Sequence, residues 1–194
     1  MRNKQFVAGH HDGFLKKVAQ QSSRYLFIAE HRGGPLKKEQ HQQLMQWARK
    51  CALHVLPLFG ENIDERLEHA LKVAKEWERG NASVGDARNA AFDAIAVANE
   101  SQNQTSVAVA RAVGHAVATA HMADHAPGAA EYALKAIASE GKSIDVERKW
   151  QDKQLPSDIK ELVLWERNKK RKFWQASLQN AQNARKKRNN KTIF

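Results

Sequence analysis

Residues 107–138, VAVARAVGHAVATAHMADHAPGAAEYALKAIA, constrain the fold of this chain more than any other stretch. They are dense in alanine and valine, keep a helical period, and carry three of the nine histidines, His115, His121 and His125. A helix that is apolar around most of its girth has to be enclosed by other elements. At ~100° per residue, Arg111, His115, Met122 and His125 share roughly 80° of arc, with Thr119 and His121 on the flanks. Polar groups on an enclosed helix need partners, because each one left unpaired costs about 1–3 kcal/mol. The stripe therefore faces a neighbouring helix, a pocket or a binding partner, and it is the first place to look for function.

The rest of the chain is helical in period as well, and strand-like alternation is missing. Leu15, Val18 and Ala19 begin a pattern that closes near His31, Arg32 and the Gly33-Gly34-Pro35 breaker. A second helix is predicted from about Leu36 to Leu56, with Leu44, Trp47, Ala48, Cys51 and Val55 on one face and Pro57 closing it. Asn62, with Glu65 three residues on, reads as the cap of a third helix whose stripe is Leu67, Ala70, Leu71, Ala74 and Trp77. Ser83 and Asp86 repeat that signature for a fourth, the histidine stripe lies on a fifth that breaks at Pro127-Gly128, and a sixth spans Ala129 to Ser139. Shorter helices are predicted after Ser143 and after Ser157. Alanine fills 20 of the 57 positions from Ala82 to Ala138, so these helices can bury apolar area only by close backbone approach; tight packing is expected rather than a wide cavity.

Charge divides the chain unevenly. Of the net +11, residues 166–194 contribute +9, from ten Lys and Arg against the single acid Glu166, while the preceding 165 residues are nearly balanced. A nucleic-acid reading of the high pI can thus attach only to the tail. There Lys169, Lys170, Arg171 and Lys172 precede Phe173 and Trp174, and a second cluster follows at Arg185, Lys186, Lys187 and Arg188. Bases beside aromatics suit phosphate attraction with stacking, an acidic protein groove or a membrane surface, and a solvated extension is the plain alternative. No signal-peptide run opens the sequence and no 18-residue apolar span occurs, which predicts a cytoplasmic protein without a membrane span. The single cysteine, Cys51, reads as a small buried hydrophobe.

The histidines admit three readings. In the structural one, Arg111, His115 and His125 pair with acids such as Asp93 and with backbone carbonyls, fixing helix register. In the second, His121 and His125, four residues apart, share a metal ion, with Asp86 or Asp93 adding a carboxylate and His10-His11-Asp12 as the other source of a ligand. The third makes the stripe of Arg111, His115, Thr119, His121 and His125 a ligand or partner pocket. Asp86 and Asp93 also lie on one face of the fourth helix, as paired carboxylates would. No phosphate loop, serine elbow or Cys-His arrangement is present, so no catalytic residue, metal or cofactor is assigned.

Several segments carry a resemblance. WARKCALHVLPLF from Trp47, WERG from Trp77, ARAVGHAVATAHMADHA from Ala110 and GAAEYA from Gly128 resemble the immunity-five-like family of bacterial immunity proteins, and Trp150-Gln151 and Leu155-Pro156 fit it too. The resemblance spans roughly Leu36 to Val163 and implies an all-helical domain whose partner is a cognate protein toxin; it implies nothing about the basic tail.

Together these features predict an all-α protein: one domain over residues 10–165, built as an antiparallel multi-helix bundle or a short helical stack, with a basic extension at 166–194 that is helical or disordered. The expected function is to bind and neutralise a toxin by protein–protein contact. The alternatives are a nucleic-acid-associated helical protein acting through its tail and a helical metalloenzyme using His121 and His125.

Overall fold

A computed structural model describes residues 23–169, and they form an all-helical bundle. The α-helices are α1 (Lys38–Val55), α2 (Glu65–Glu78), α3 (Val84–Glu100), α4 (Gln104–Ala118), α5 (Ala126–Ser139), α6 (Ile144–Lys153) and α7 (157–169). Short 3-10 turns occupy Ser23–Phe27, Glu30–Arg32, Leu56–Phe59 and Ala123–His125. The predicted Leu15, Val18 and Ala19 lie outside the described residues. The end of that first pattern, up to Arg32, forms two 3-10 turns rather than a helix, followed by an isolated parallel bridge between Ala29 and Leu36.

Helix starts follow side-chain chemistry. Ser83 and Asp86 make the predicted reciprocal cap of α3, with Asp86 N–H bonding Ser83 Oγ at 3.1 Å and Ser83 N–H bonding Asp86 Oδ2 at 2.9 Å. Asn103 caps α4 by accepting from the backbone of Thr105 and Ser106. The cap of α2 is Asp64 rather than Asn62: its carboxylate accepts Arg66 N–H at 2.9 Å and pairs with the Arg66 guanidinium. Aspartate here satisfies an orphan N–H and anchors a cation together, which Asn62 could not do. Gly80 and Gly141 follow α2 and α5 with φ of 82° and 66°, the left-handed geometry that releases the chain from a helix.

Helix α4 is the centre of the bundle. It packs on α1, α2, α3 and α5, most extensively on its sequence neighbours α3 and α5. From Ala108 to Ala118 its Ala, Val and Gly residues are all buried apart from the partly buried Val107 just before them, leaving Arg111 and His115 as the partly exposed polar positions. Its first turn is pinned by two hydroxyls, Ser106 Oγ to the Phe59 carbonyl at 2.9 Å and Thr105 Oγ1 to Glu140 at 2.7 Å. The outer wall is tied by larger side chains. Trp47 is fully buried, as its place on the α1 stripe predicts, and its indole N–H donates to the Gln151 carbonyl at 2.9 Å. Trp77 and Tyr132 pack against the core while remaining partly exposed. Cys51 is fully buried, and burial pushes its thiol pKa well above the ordinary range. Helix α7 continues past position 165: Arg167 bonds Asp152 and Gln151 and lies over the Trp47 ring, while Lys169 lies over Trp165. Lys170, Arg171, Lys172, Arg185, Lys186, Lys187 and Arg188 lie outside the described residues.

Because α4 has no room around it, adding volume there should be far more damaging than adding it on the surface. Ala112→Leu, at a fully buried site, is expected to lower unfolding free energy by about 1–3 kcal/mol. Ala138→Leu, on the exposed side of α5, should stay within about 0.5 kcal/mol of wild type. Urea unfolding of the two variants compares them directly.

Candidate functional site

The histidine stripe does not lie on one helix. Helix α4 stops at Ala118, where the Thr119 hydroxyl bonds back to the His115 carbonyl at 3.1 Å. A turn through Ala120 and His121 leads to Met122 in extended conformation, then the 3-10 turn Ala123–His125 runs straight into α5. Pro127, which reads as a breaker, sits instead in the first turn of α5, where its missing N–H has no bond to lose. The true break lies before it, so the helical projection fails beyond Thr119.

The chain reversal nevertheless brings the histidines together. His115 Nδ1 and His125 Nδ1 face each other at 3.3 Å, so one imidazole donates and the other accepts. Their ring centroids are 5.2 Å apart, and the His121 ring lies 5.1 Å from that of His125. His115 also packs on Tyr132 and lies against the α5 backbone at Gly128, where a Cβ would come within 2.8 Å of its Nδ1. Gly128 thus makes room for a ring. Arg111 does not reach Asp93: its guanidinium hydrogen-bonds the Tyr132 hydroxyl at 3.4 Å and lies over that ring, while Asp93 is exposed on α3. Asp86 is occupied in the α3 cap, where the Ser83 hydroxyl holds its carboxyl below the usual range. Neither carboxylate joins the histidines, because α3 turns that face away from α4. Among the described residues no three metal-ligating side chains converge, so the pair His121 and His125 finds no third ligand there.

The expectation of tight packing without a wide cavity holds along α4 and fails at its end. Beyond Ala118, His115, His121 and His125 line a half-open cavity of about 1520 Å³, bounded by the 3-10 turns before α1, the start of α1, the end of α2 and one face of α3. Past α4 the regular helix–helix contact gives way to the histidine turn, whose buried Ala120 and Ala123 are too small to fill the space beside it. His41, on α1, closes the floor: it is buried, its Nε2–H donates to the Thr119 carbonyl at 2.6 Å, and its ring lies 5.0 Å from that of Trp77. Thr119 therefore contributes to the site through its carbonyl.

Sequence reasoning missed His41, Arg32, Arg88 and Phe92. Arg32 donates to the His121 carbonyl at 3.3 Å, and Arg88 lies over the Phe92 ring at 5.5 Å. The signal was available in part: His41 lies one turn before Leu44 on the stripe of α1, and Val84, Arg88, Phe92 and Ile95 recur at helical spacing on α3. These four α3 residues line the cavity, and Phe92 and Val84 are 60% and 46% exposed.

Burial lowers the pKa of His41, His121 and His125; at His121 the positive charges of His125 and Arg88 add to it. A histidine whose pKa is depressed on folding stays neutral in the native state, while the unfolded chain takes up the proton near the ordinary value of about 6.5. Stability from these groups is thus fully present above that value and is lost as pH falls through it. The melting temperature is expected to drop between about pH 7 and about pH 5.5. His41→Gln, whose amide can still donate to the Thr119 carbonyl, should flatten that slope; a profile as steep as wild type would contradict the assignment.

Residues 34–158 match a family model described as "Imm-5 like putative immunity protein", and the match takes in α1 to α6 and every described element of the cavity except the turns before Gly34. Comparison with curated proteins and with solved structures finds no match. The matched segment covers more than half of the sequence and agrees with the residues that carry the resemblance, from Trp47 to Leu155-Pro156. The chain belongs to the Imm-5 like immunity protein family.

Proposed function

We propose that this protein neutralises a cognate toxin by binding it over the mouth of the cavity, with the α3 stripe as the anchor. One observation carries the reading: Phe92, a large aromatic side chain, stands 60% exposed on a rigid helix beside Arg88 and Val84, at the edge of a cavity. Aromatic and arginine side chains dominate the binding energy of protein interfaces, most of all next to a pocket that excludes water. The family adds the kind of partner, since an immunity protein acts on a toxin. Steering comes from charge. Arg24, Arg32, Lys38 and Arg88 line the cavity against Glu30 and Asp124, so the mouth attracts an acidic surface.

Binding is the mechanism, not chemistry. The histidines hold the turn that shapes the cavity wall, and the domain acts by occupying the toxin surface it covers. A protein reading of the partner is favoured over nucleic acid because the stripe is apolar at Val84, Phe92 and Ile95, where a phosphate track would place successive cations. No helix among the described residues is long and apolar enough to cross a membrane.

The test first screens the open reading frames that neighbour this gene for one whose toxicity the full chain, co-expressed with it, suppresses in a sensitive host, and then uses that toxin. Phe92→Ala should leave the melting temperature unchanged and weaken toxin binding by about 30-fold or more, the equivalent of a hot-spot loss of about 2 kcal/mol. Protection should fall with it. Wild-type binding by Phe92→Ala, with loss instead in Val146→Ala on α6, would overturn the reading.

A further inference from the structure

We propose that the inner wall of the cavity is a carboxylate-binding subsite, formed by Arg32, Arg88 and His121, which receives an Asp or Glu side chain of the toxin next to the Phe92 anchor. The inference rests on the proposed toxin-binding function and names the partner chemistry at the same site. Its first ground is an orphaned atom. Among the described residues, His121 Nδ1 is buried without a hydrogen-bond partner, in a ring that lines the cavity. A buried imidazole nitrogen left unpaired is costly, and a carboxylate oxygen is an acceptor that would satisfy it.

The second ground is charge. Arg32 reaches the site from the turn Glu30–Arg32 and Arg88 from α3, and both lie near enough for their charges to act on His121. Among the described residues neither guanidinium is paired with a carboxylate: Arg32 spends one N–H on the His121 carbonyl, and Arg88 covers an aromatic face. The acids of the cavity are already engaged elsewhere. Asp124 pairs with Arg24 at 3.2 Å, and Glu30 accepts the Lys38 backbone N–H at 3.2 Å. Two guanidinium groups and an imidazole from three separate elements therefore line one cavity, and Asp124, the described acid whose charge also acts on His121, is held by Arg24. Guanidinium groups match the planar, two-oxygen geometry of a carboxylate. Phe92 and Ile95 beside them supply apolar contact for the rest of the segment. An acidic side chain flanked by an aromatic or aliphatic one fits both halves of this wall.

The experiment uses the full isotope-labelled chain near neutral pH, observing the His121 imidazole and the Ala120 and His121 amides. The probe is N-acetyl-aspartyl-phenylalaninamide, with its asparaginyl counterpart as the neutral control. The aspartyl peptide should give a saturable shift of these signals at least about tenfold tighter than the asparaginyl one. Arg88→Gln and Arg32→Gln should each weaken it by a similar factor while leaving the other amide signals in place. Equal binding of the two peptides would overturn the subsite, as would a stronger response to oligodeoxythymidylate than to the aspartyl peptide. Because this titration contains no toxin, it fails separately from the co-expression assay. A lost peptide shift with Phe92→Ala still deficient in protection refutes the subsite alone. A retained shift with Phe92→Ala fully protective refutes the assignment of the subsite to the toxin.

Discussion

Close approach of small side chains around α4 is the constraint on which the rest of this structure depends. Along Ala108 to Ala118 the helix offers alanine, valine and a single glycine to its neighbours, and a Cβ at Gly114 would fall 2.7 Å from Ile95 Cδ1. Such an interior gains little from any one side chain, so its cohesion comes from many short contacts made possible by near backbones. Large residues are displaced to the rim. Trp47, buried on α1, is locked to Gln151, whose own amide bonds the Ala130 carbonyl and Glu147, so the outer helices are tied through one polar side chain. At the other rim α4 ends in the histidine turn, where buried Ala120 and Ala123 leave the space of the cavity beside them.

Much of the bundle could be read from the sequence because its cause is local. The caps at Ser83 and Ser143, the stripe of α1 and the buried Cys51 follow from spacing and chemistry within one helix. What could not be read depended on alternatives of similar local merit. Pro127 is equally at home after a helix or in its first turn, and only the extended Met122 decides for the second. The partner of Arg111 was expected to be an acid and is the Tyr132 hydroxyl and ring face, because α5 rather than α3 presents a side chain at that height. His115 and His125 were placed on one stripe, and they do meet, though through a reversal of the chain rather than along a helix. The cavity was illegible because it is made by three stretches far apart in sequence, 24–42, 77–95 and 114–125.

The two ends of α1 carry different kinds of surface. At its C-terminal end His54 stacks on Trp150 with centroids 3.7 Å apart and bonds Glu147 at 2.9 Å, a closed arrangement in which the partners satisfy one another. Exposed Leu53 and Val146 flank it, and Lys142 lies beside it. At the N-terminal end the cavity joins an exposed aromatic, the guanidinium groups of Arg32 and Arg88, which pair with no carboxylate among the described residues, and an imidazole nitrogen that lacks a partner there. Unsatisfied groups beside an apolar anchor are what a partner completes, whereas satisfied ones hold a fold together. That contrast is why the function is assigned to the α3 face, although the histidine pair itself is read as a device that shapes the wall.

Hydroxyl-radical labelling of the full chain, alone and mixed with a toxin whose activity it suppresses, tests this assignment most directly. Phe92 on α3 at 60% exposure and Val146 on α6 at 68% both begin open to the reagent. The account predicts that the toxin shields Phe92 and Met122 while Val146 and Leu53 label as in the free protein. Shielding of Val146 and Leu53 with Phe92 still reactive would contradict it.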